Sequence, residues 1–196
     1  MARPRSNDRR NAILSAATRV IAAQGLGAAT AAIAKEAGVS NGSLFLYFDT
    51  KAALLNELYV DLKTDMGTAA LTGLPGPGDP REQLRHVWNQ WLRWAAANPG
   101  KRRALALLQV SDDITAESHH AAYQVEKDIA AVLESSRANG PMREVPLGFV
   151  LTLANAVAEA AIDSIIREPA CAEAHSAIAF DAIWRLVAGS PSPAKN

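Results

Sequence analysis

The chain has 196 residues and no formal net charge, with 20 basic and 20 acidic side chains, which suits one domain or two small ones and a real buried core. Hydrophobic residues make up 49%, alanine is prominent and β-branched runs are scarce, so the expected class is all-α. The single cysteine, Cys171, excludes an internal disulfide framework, and the Met-Ala-Arg-Pro-Arg start has no export segment, so a cytoplasmic chain is expected.

The zero conceals an asymmetry. Residues 1 to 63 hold eight basic and five acidic side chains, a net +3, which leaves −3 for the remainder. That suggests an N-terminal third facing an anion and a C-terminal part with another task.

A basic, loosely ordered arm carrying Arg3 and Arg5 precedes the first predicted helix, which runs from about residue 8 to Gly25 on Ile13, Leu14, Ala17, Val20 and Ile21. Thr30 stands where the N-cap of a short second helix belongs, with Ile33, Ala34 and Ala37 inward and Gly38 at its end. Ser40 caps a third helix, which carries Leu44, Phe45 and Phe48 and so buries a face. Asp49 or Thr50 opens a fourth through Leu54, Leu55, Leu58, Tyr59 and Leu62, and residues 71 to 80, LTGLPGPGDP, form a loop.

The fifth helix covers Pro80 to Ala97 and is broken by Asn98-Pro99-Gly100 before a shorter one near Arg102 to Val110. Thr115 caps a seventh reaching Ala138, the eighth spans residues 146 to 168 with Pro146 in its first turn, and the ninth spans 171 to 188. The tail SPSPAKN reads as disordered. The longest apolar stretch, residues 145 to 166, is interrupted by Asn155, Glu159 and Asp163, so no membrane partner is expected.

Two short helices joined by Ala37-Gly38-Val39-Ser40 have the length and glycine position of a helix-turn-helix, whose second helix enters the DNA major groove by its N-terminal residues. Asn41, Gly42 and Ser43 are then the tip: an amide for a base edge, a bare backbone for close approach, a hydroxyl for either partner. An ordinary helical hairpin has the same outline. Lys51 sits at the positive end of the fourth helix, where a cation is disfavoured, and a bound phosphate would resolve the conflict; a lysine simply extended into water is the alternative. About 100° of rotation separates Tyr47 from Phe48, so one ring can fill the core while the other offers its hydroxyl to a phosphate.

The stretch from Thr30 through IAKEAGVSNGSLFLYFDTKAALL, residues 33 to 55, resembles the DNA-binding domain of the TetR family of bacterial transcription regulators. Gly38, Val39, Ser40, Gly42, Leu44, Tyr47, Phe48 and Lys51 fall in register with the family pattern. The resemblance implies phosphate contacts at Thr30, Ser40, Tyr47 and Lys51 and base reading by Asn41, Gly42 and Ser43. Phe45 stands where the family usually has tyrosine and Leu46 where a polar residue is common, so one polar contact is missing; Ala31 and Ala32 also replace polar positions. Affinity then leans on the arm, with Arg3 and Arg5 in the minor groove.

The fold expected is an N-terminal helix-turn-helix DNA-binding domain with its arm, residues 1 to 50, and a helical ligand-binding and dimerisation domain, residues 51 to 196. Trp88, Trp91, Leu105, Leu108, Gln109 and Tyr123 resemble the lining of a mostly apolar small-molecule site, although an aromatic stripe also serves as core. Asn155, in a polar stripe with Thr152, Glu159 and Asp163, is either solvated or turned into that pocket. The eighth and ninth helices are apolar on two sides, so Leu151, Ala154, Ala158 and Ile162 with Ile178, Ala182, Ile183 and Leu186 are the expected homodimer surface.

The expected partners are therefore a double-stranded, palindromic operator, a small-molecule inducer that releases it, and a second copy of the chain. No cofactor, metal site or catalytic set is expected: His119 and His120 diverge on a helix, Cys171 has no basic sequence neighbour, and no phosphate loop or nucleophile elbow occurs. Two other classes stay open, an enzyme using Glu159 and Asp163 on a helical scaffold and a helical interaction module without DNA binding.

Overall fold

The computed structural model describes the backbone of residues 3 to 189 and the side chains of residues 7 to 124 and 127 to 189. Among the described residues there are nine α-helices, one 3-10 turn and no strand. The helices are α1 (Arg3–Gln24), α2 (Thr30–Glu36), α3 (Asn41–Leu44), α4 (Lys51–Leu71), α5 (Pro80–Ala97), α6 (Pro99–Gln109), α7 (Ala116–Arg137), α8 (Leu147–Arg167) and α9 (Ala172–Ala188). The chain is helical from Arg3, where a loosely ordered arm is expected; Pro4 falls in the first turn of α1, where a missing amide donor costs no helical bond. The side chains of Arg3 and Arg5, and the tail from Ser190, lie outside the described residues.

Two compact units emerge, one made of Met1–Asp65 and Asn98–Val125, the other of Met66–Ala97 and Glu126–Asn196. In the first, α1 packs against α2 and α6, and α2 against α3. Its core consists of Ile13, Ala17 and Ile21 from α1, Ile33 and Ala34 from α2, Leu44 and Phe48, Leu54, Leu55, Leu58 and Leu62 from α4, and Ala104, Leu105 and Leu108 from α6. Each large side chain buried there contributes about 1.5–3 kcal/mol. Asn56 on α4 fixes the α6–α7 connection: its amide donates to the Asp113 carbonyl at 2.7 Å and accepts from the Thr115 N–H at 2.8 Å.

Caps set most of the boundaries. Thr50 Oγ1 accepts from the Ala53 N–H at 3.0 Å and opens α4, and Thr115 Oγ1 accepts from the Ser118 N–H at 3.2 Å and opens α7. Pro146 is the residue before α8 rather than in its first turn, and α6 begins at Pro99, three residues earlier than expected, since proline needs no amide donor there.

In the second unit α8 and α9 pair along their length and α5 packs on both. Trp88 sits at the centre, 4% exposed, edge-on to Phe180 at 6.4 Å and Trp91 at 6.3 Å, with its indole N–H donating to Ser176 Oγ at 3.3 Å. Arg137, although charged, is only 6% exposed because it donates to the Met142 and Val145 carbonyls and to Glu134, pinning the turn before α8. Within that turn Gly140 meets α9 so closely that a Cβ would lie 1.9 Å from the Val187 carbonyl oxygen. α8 is long and apolar enough to cross a bilayer by length and composition, with a mean hydropathy of 1.6, and only 22% of that window is buried in the protomer.

Candidate DNA interface

The turn between α2 and α3 is a Schellman motif. Gly38 takes the left-handed conformation, φ +67°, its N–H donating to the Lys35 carbonyl at 3.1 Å while Val39 N–H reaches back to the Ala34 carbonyl at 2.9 Å. A side chain at position 38 would strain that conformation, so the glycine fixes the angle at which α3 leaves α2.

Ser40 then caps α3: its Oγ accepts from the Ser43 N–H at 3.0 Å and pairs with Ser43 Oγ at 2.8 Å. Asn41, Gly42 and Ser40 are exposed and Ser43 partly so, bringing the predicted tip together at the surface. A Cβ at Gly42 would meet only Ser40 Oγ, at 4.0 Å, so nothing inside the chain demands glycine there. Approach of something from outside is a reason for leaving that position bare.

Regular helix ends at Leu44, but Leu46, Tyr47 and Phe48 continue with i→i+3 and i→i+4 bonds to Ser43 and Leu44. Leu44 and Phe48 are buried at 0% and 2%. Tyr47 turns away and is half-buried, so the two adjacent rings part as their spacing predicts. Phe45, expected inside, is 39% exposed, and Leu46 is 84% exposed, because Leu44 and Phe48 alone fill the side facing α2 and α4.

The surrounding charges are largely engaged. Arg10 makes a two-pronged pair with Glu57 and lies 5.0 Å over the Phe48 ring, and the bond to Glu57 raises the guanidinium pKa further. Arg19 pairs with Glu36 at 2.7 Å. Lys51 Nζ donates to the Leu26 carbonyl at 2.6 Å, which uses one of its three hydrogens within the chain. Thr30 is the first residue of α2 and not its cap; the cap position falls to Ala29, which makes no side-chain bond, since the chain leaves the extended conformation one residue earlier than expected.

The predicted ligand residues are spread over both units. Leu105 and Leu108 are buried core of the first, where Gln109 and Tyr123 are exposed. Trp88 and Trp91 are packed against each other in the second, with Asn155 half-buried on α8. The second unit instead holds an open groove of about 390 Å³ among α5, α8 and α9, with Arg85, Asn89 and Arg93 on one side, Glu173 and Ser176 opposite, and Leu92 and Phe180 beneath. Arg85, Asn89 and Arg93 recur every four residues along α5, beside a tryptophan stripe that recurs every three, so the polar side of the groove is also written at helical spacing.

The dimer residues divide similarly. Ala158, Ile162 and Ile183 are buried inside the protomer, and Leu151, Ala154 and Leu186 are half-buried. Ile178 and Ala182 are exposed, and on α8 the outward side carries Phe149, Ala156, Ala160 and Ile166. Cys171, which has no basic neighbour in sequence, does have His175 and Glu168 in space, with donor atoms within 4.8 Å of one another.

A capped, exposed short helix set on a glycine turn against α2 has the geometry of a helix-turn-helix. The family profile described as bacterial regulatory proteins, tetR family, matches residues 13–58. The whole chain is similar to the crystal structure of a tetR family transcription regulator from Shewanella sp. PV-4, at 27% identity and a TM-score of 0.82, covering 91% of this chain and 97% of that one. It shares its fold with a regulator from Marinobacter aquaeolei VT8 (24% identity, TM-score 0.78, 94% and 98% covered) and with FadR from Bacillus subtilis, solved with stearoyl-CoA (17%, 0.67, 92% and 99%). Residues 13–58 thus carry a tetR-type DNA-binding domain, and the chain as a whole is similar to solved TetR-family transcription regulators.

Proposed function

We propose that this regulator is a homodimeric repressor that holds a palindromic operator through the tips of its two α3 helices and is released by a small molecule. The observation that carries the reading is the tip itself: Ser40, Asn41 and Gly42 exposed at the end of a rigid turn, with no atom of the chain crowding Gly42. Ser40, Tyr47, Thr30 and Lys51 serve as phosphate contacts, and Asn41, Gly42 and Ser43 read bases. A two-fold dimer sets half-sites about 34 Å apart.

The outward apolar side of α8 and Ile178 on α9 supply a surface for the second copy, which accounts for an apolar helix left mostly uncovered in one protomer. The groove beside Arg85 and Arg93 suits an effector with an apolar body and an anionic group, the guanidiniums meeting the charge and Leu92 and Phe180 the body. FadR from Bacillus subtilis was solved with stearoyl-CoA, which supports an effector of this kind.

The test is fluorescence anisotropy with duplex DNA from upstream of the chain's own gene. Binding that weakens steeply with salt and is reversed by an anionic amphiphile is expected. Salt-insensitive binding, or none to any duplex, would return the chain to the class of helical interaction modules.

A further inference from the structure

Leu46 is the most exposed large apolar side chain of the described residues, at 84%. Its position is specific. With about 100° per residue from the buried Leu44, Leu46 and Gly42 both fall opposite the inward side of α3, four residues apart and on one outer face. Gly42 offers no side chain, and the Leu46 methyls do not fold back over it, since an added Cβ there would meet only Ser40 Oγ. The outer face of the recognition helix is therefore a bare backbone followed by an apolar knob, flanked by Phe45 at 39% exposure. No charged residue stands between Asn41 and Phe48.

In the major groove the only apolar group that distinguishes bases is the C5-methyl of thymine. A leucine presented there cannot contact a phosphate usefully, and it strands the donors and acceptors of a G·C pair that it displaces from water. It does match a methyl group. Resting on the DNA-binding reading above, we propose that Leu46 is a base-reading residue of this regulator, packing its methyls on a thymine C5-methyl so that each operator half-site carries an A·T pair at that position. The leucine thus does not weaken the site by replacing a polar contact; it changes what is read.

Thymine and uracil differ by that methyl alone, which allows a direct test. Duplexes enriched from a random pool by the full-length protein are resynthesised with uracil replacing thymine one position at a time, and affinities are compared for wild type and Leu46→Ala. One thymine per half-site should matter to wild type by about fourfold, the value of one buried methyl, and the same replacement should leave Leu46→Ala unchanged. Because Leu46 is exposed, Leu46→Ala keeps its fold, which circular dichroism verifies. Indifference of wild type to uracil at every position, or equal losses in both proteins, overturns the proposal while DNA binding itself stands. Failure to enrich any duplex overturns the DNA reading as well, and the two failures are told apart by whether DNA is retained at all.

Discussion

The Lys51 ammonium donates to the Leu26 carbonyl across 2.6 Å and so ties the first turn of α4 to the loop between α1 and α2. A cation at a helix N-terminus is disfavoured by the dipole, by about 0.3–1 kcal/mol, and a charged hydrogen bond worth about 1.5–3 kcal/mol offsets it. Lys51→Ala should therefore lower stability by about 1–2 kcal/mol, measured by urea denaturation. If Lys51 also meets a phosphate, the same change weakens binding to all DNA sequences alike and reduces the salt slope by about 1. An unchanged slope would leave the lysine as a brace only.

Arg10 links three parts of the first unit: it lies in α1, pairs with Glu57 of α4 and covers the ring of Phe48. The pair is partly exposed, so its geometry rather than its burial gives it weight. Glu57→Gln should cost about 0.5–1.5 kcal/mol and Arg10→Ala somewhat more, because the cation over Phe48 goes too. A double-mutant cycle with a coupling near zero would show the pair to be incidental.

Glu57, Asp61 and Asp65 stack four residues apart on α4, with Arg10 on the first and Lys101 on the last at 2.8 Å. Lost hydration, and then the Asp65 carboxylate, holds the Asp61 carboxyl above its ordinary 3.8. Its folded pKa is thus raised, so the ionised form penalises the folded state at neutral pH and the penalty disappears below 3.8, where both states are protonated. Asp61→Asn should add about 0.2–0.5 kcal/mol at pH 7, discounted for exposure, and the gain should vanish as pH falls through the raised value. Denaturant midpoints at pH 7 and below 3.8 test this; a gain that persists in acid refutes it.

Much of this was legible because it is local chemistry. Gly38 and Ser40 announce their turn and cap through residues three or four apart, and Pro80 and Asn98 bound α5 as predicted. What stayed hidden depends on distant neighbours. The carbonyl that takes Lys51 lies 25 residues away, and which of the sides of α8 faces inward is decided by α5 and α9. Alanines at 156 and 160 look as apolar as Ala158 in sequence, yet the structure leaves the first two exposed and buries the third. The arginines of the groove were visible but outshone by tryptophans, which here build the core beneath it.

Gly140 is a glycine for steric reasons alone, with the Val187 carbonyl where a Cβ would stand. Backbone atoms cannot swing aside as a flexible side chain can, so Gly140→Ala must push the turn off α9. A loss of about 1–3 kcal/mol is expected from overpacking. A thermal midpoint within error of wild type would mean that the turn relaxes freely.

The assembly proposed above can be tested at Ile178, which is 68% exposed on α9, and Phe149, 55% exposed on α8. Both are uncovered in one protomer, so a charge at either leaves the monomer folded, whereas Ile183, at 2%, supports the core. A stable two-fold interface buries roughly 1,600 Å² in all and tolerates unpaired charge poorly at its centre. Ile178→Asp and Phe149→Asp should therefore each shift the protein from dimer to monomer in analytical ultracentrifugation with unchanged circular dichroism, and DNA affinity should fall because half-sites would be bound singly. Ile183→Asp should lower the thermal midpoint instead. If Ile178→Asp and Phe149→Asp remain dimeric at micromolar concentration, the partner docks elsewhere, and the outward sides of α8 and α9 need another explanation.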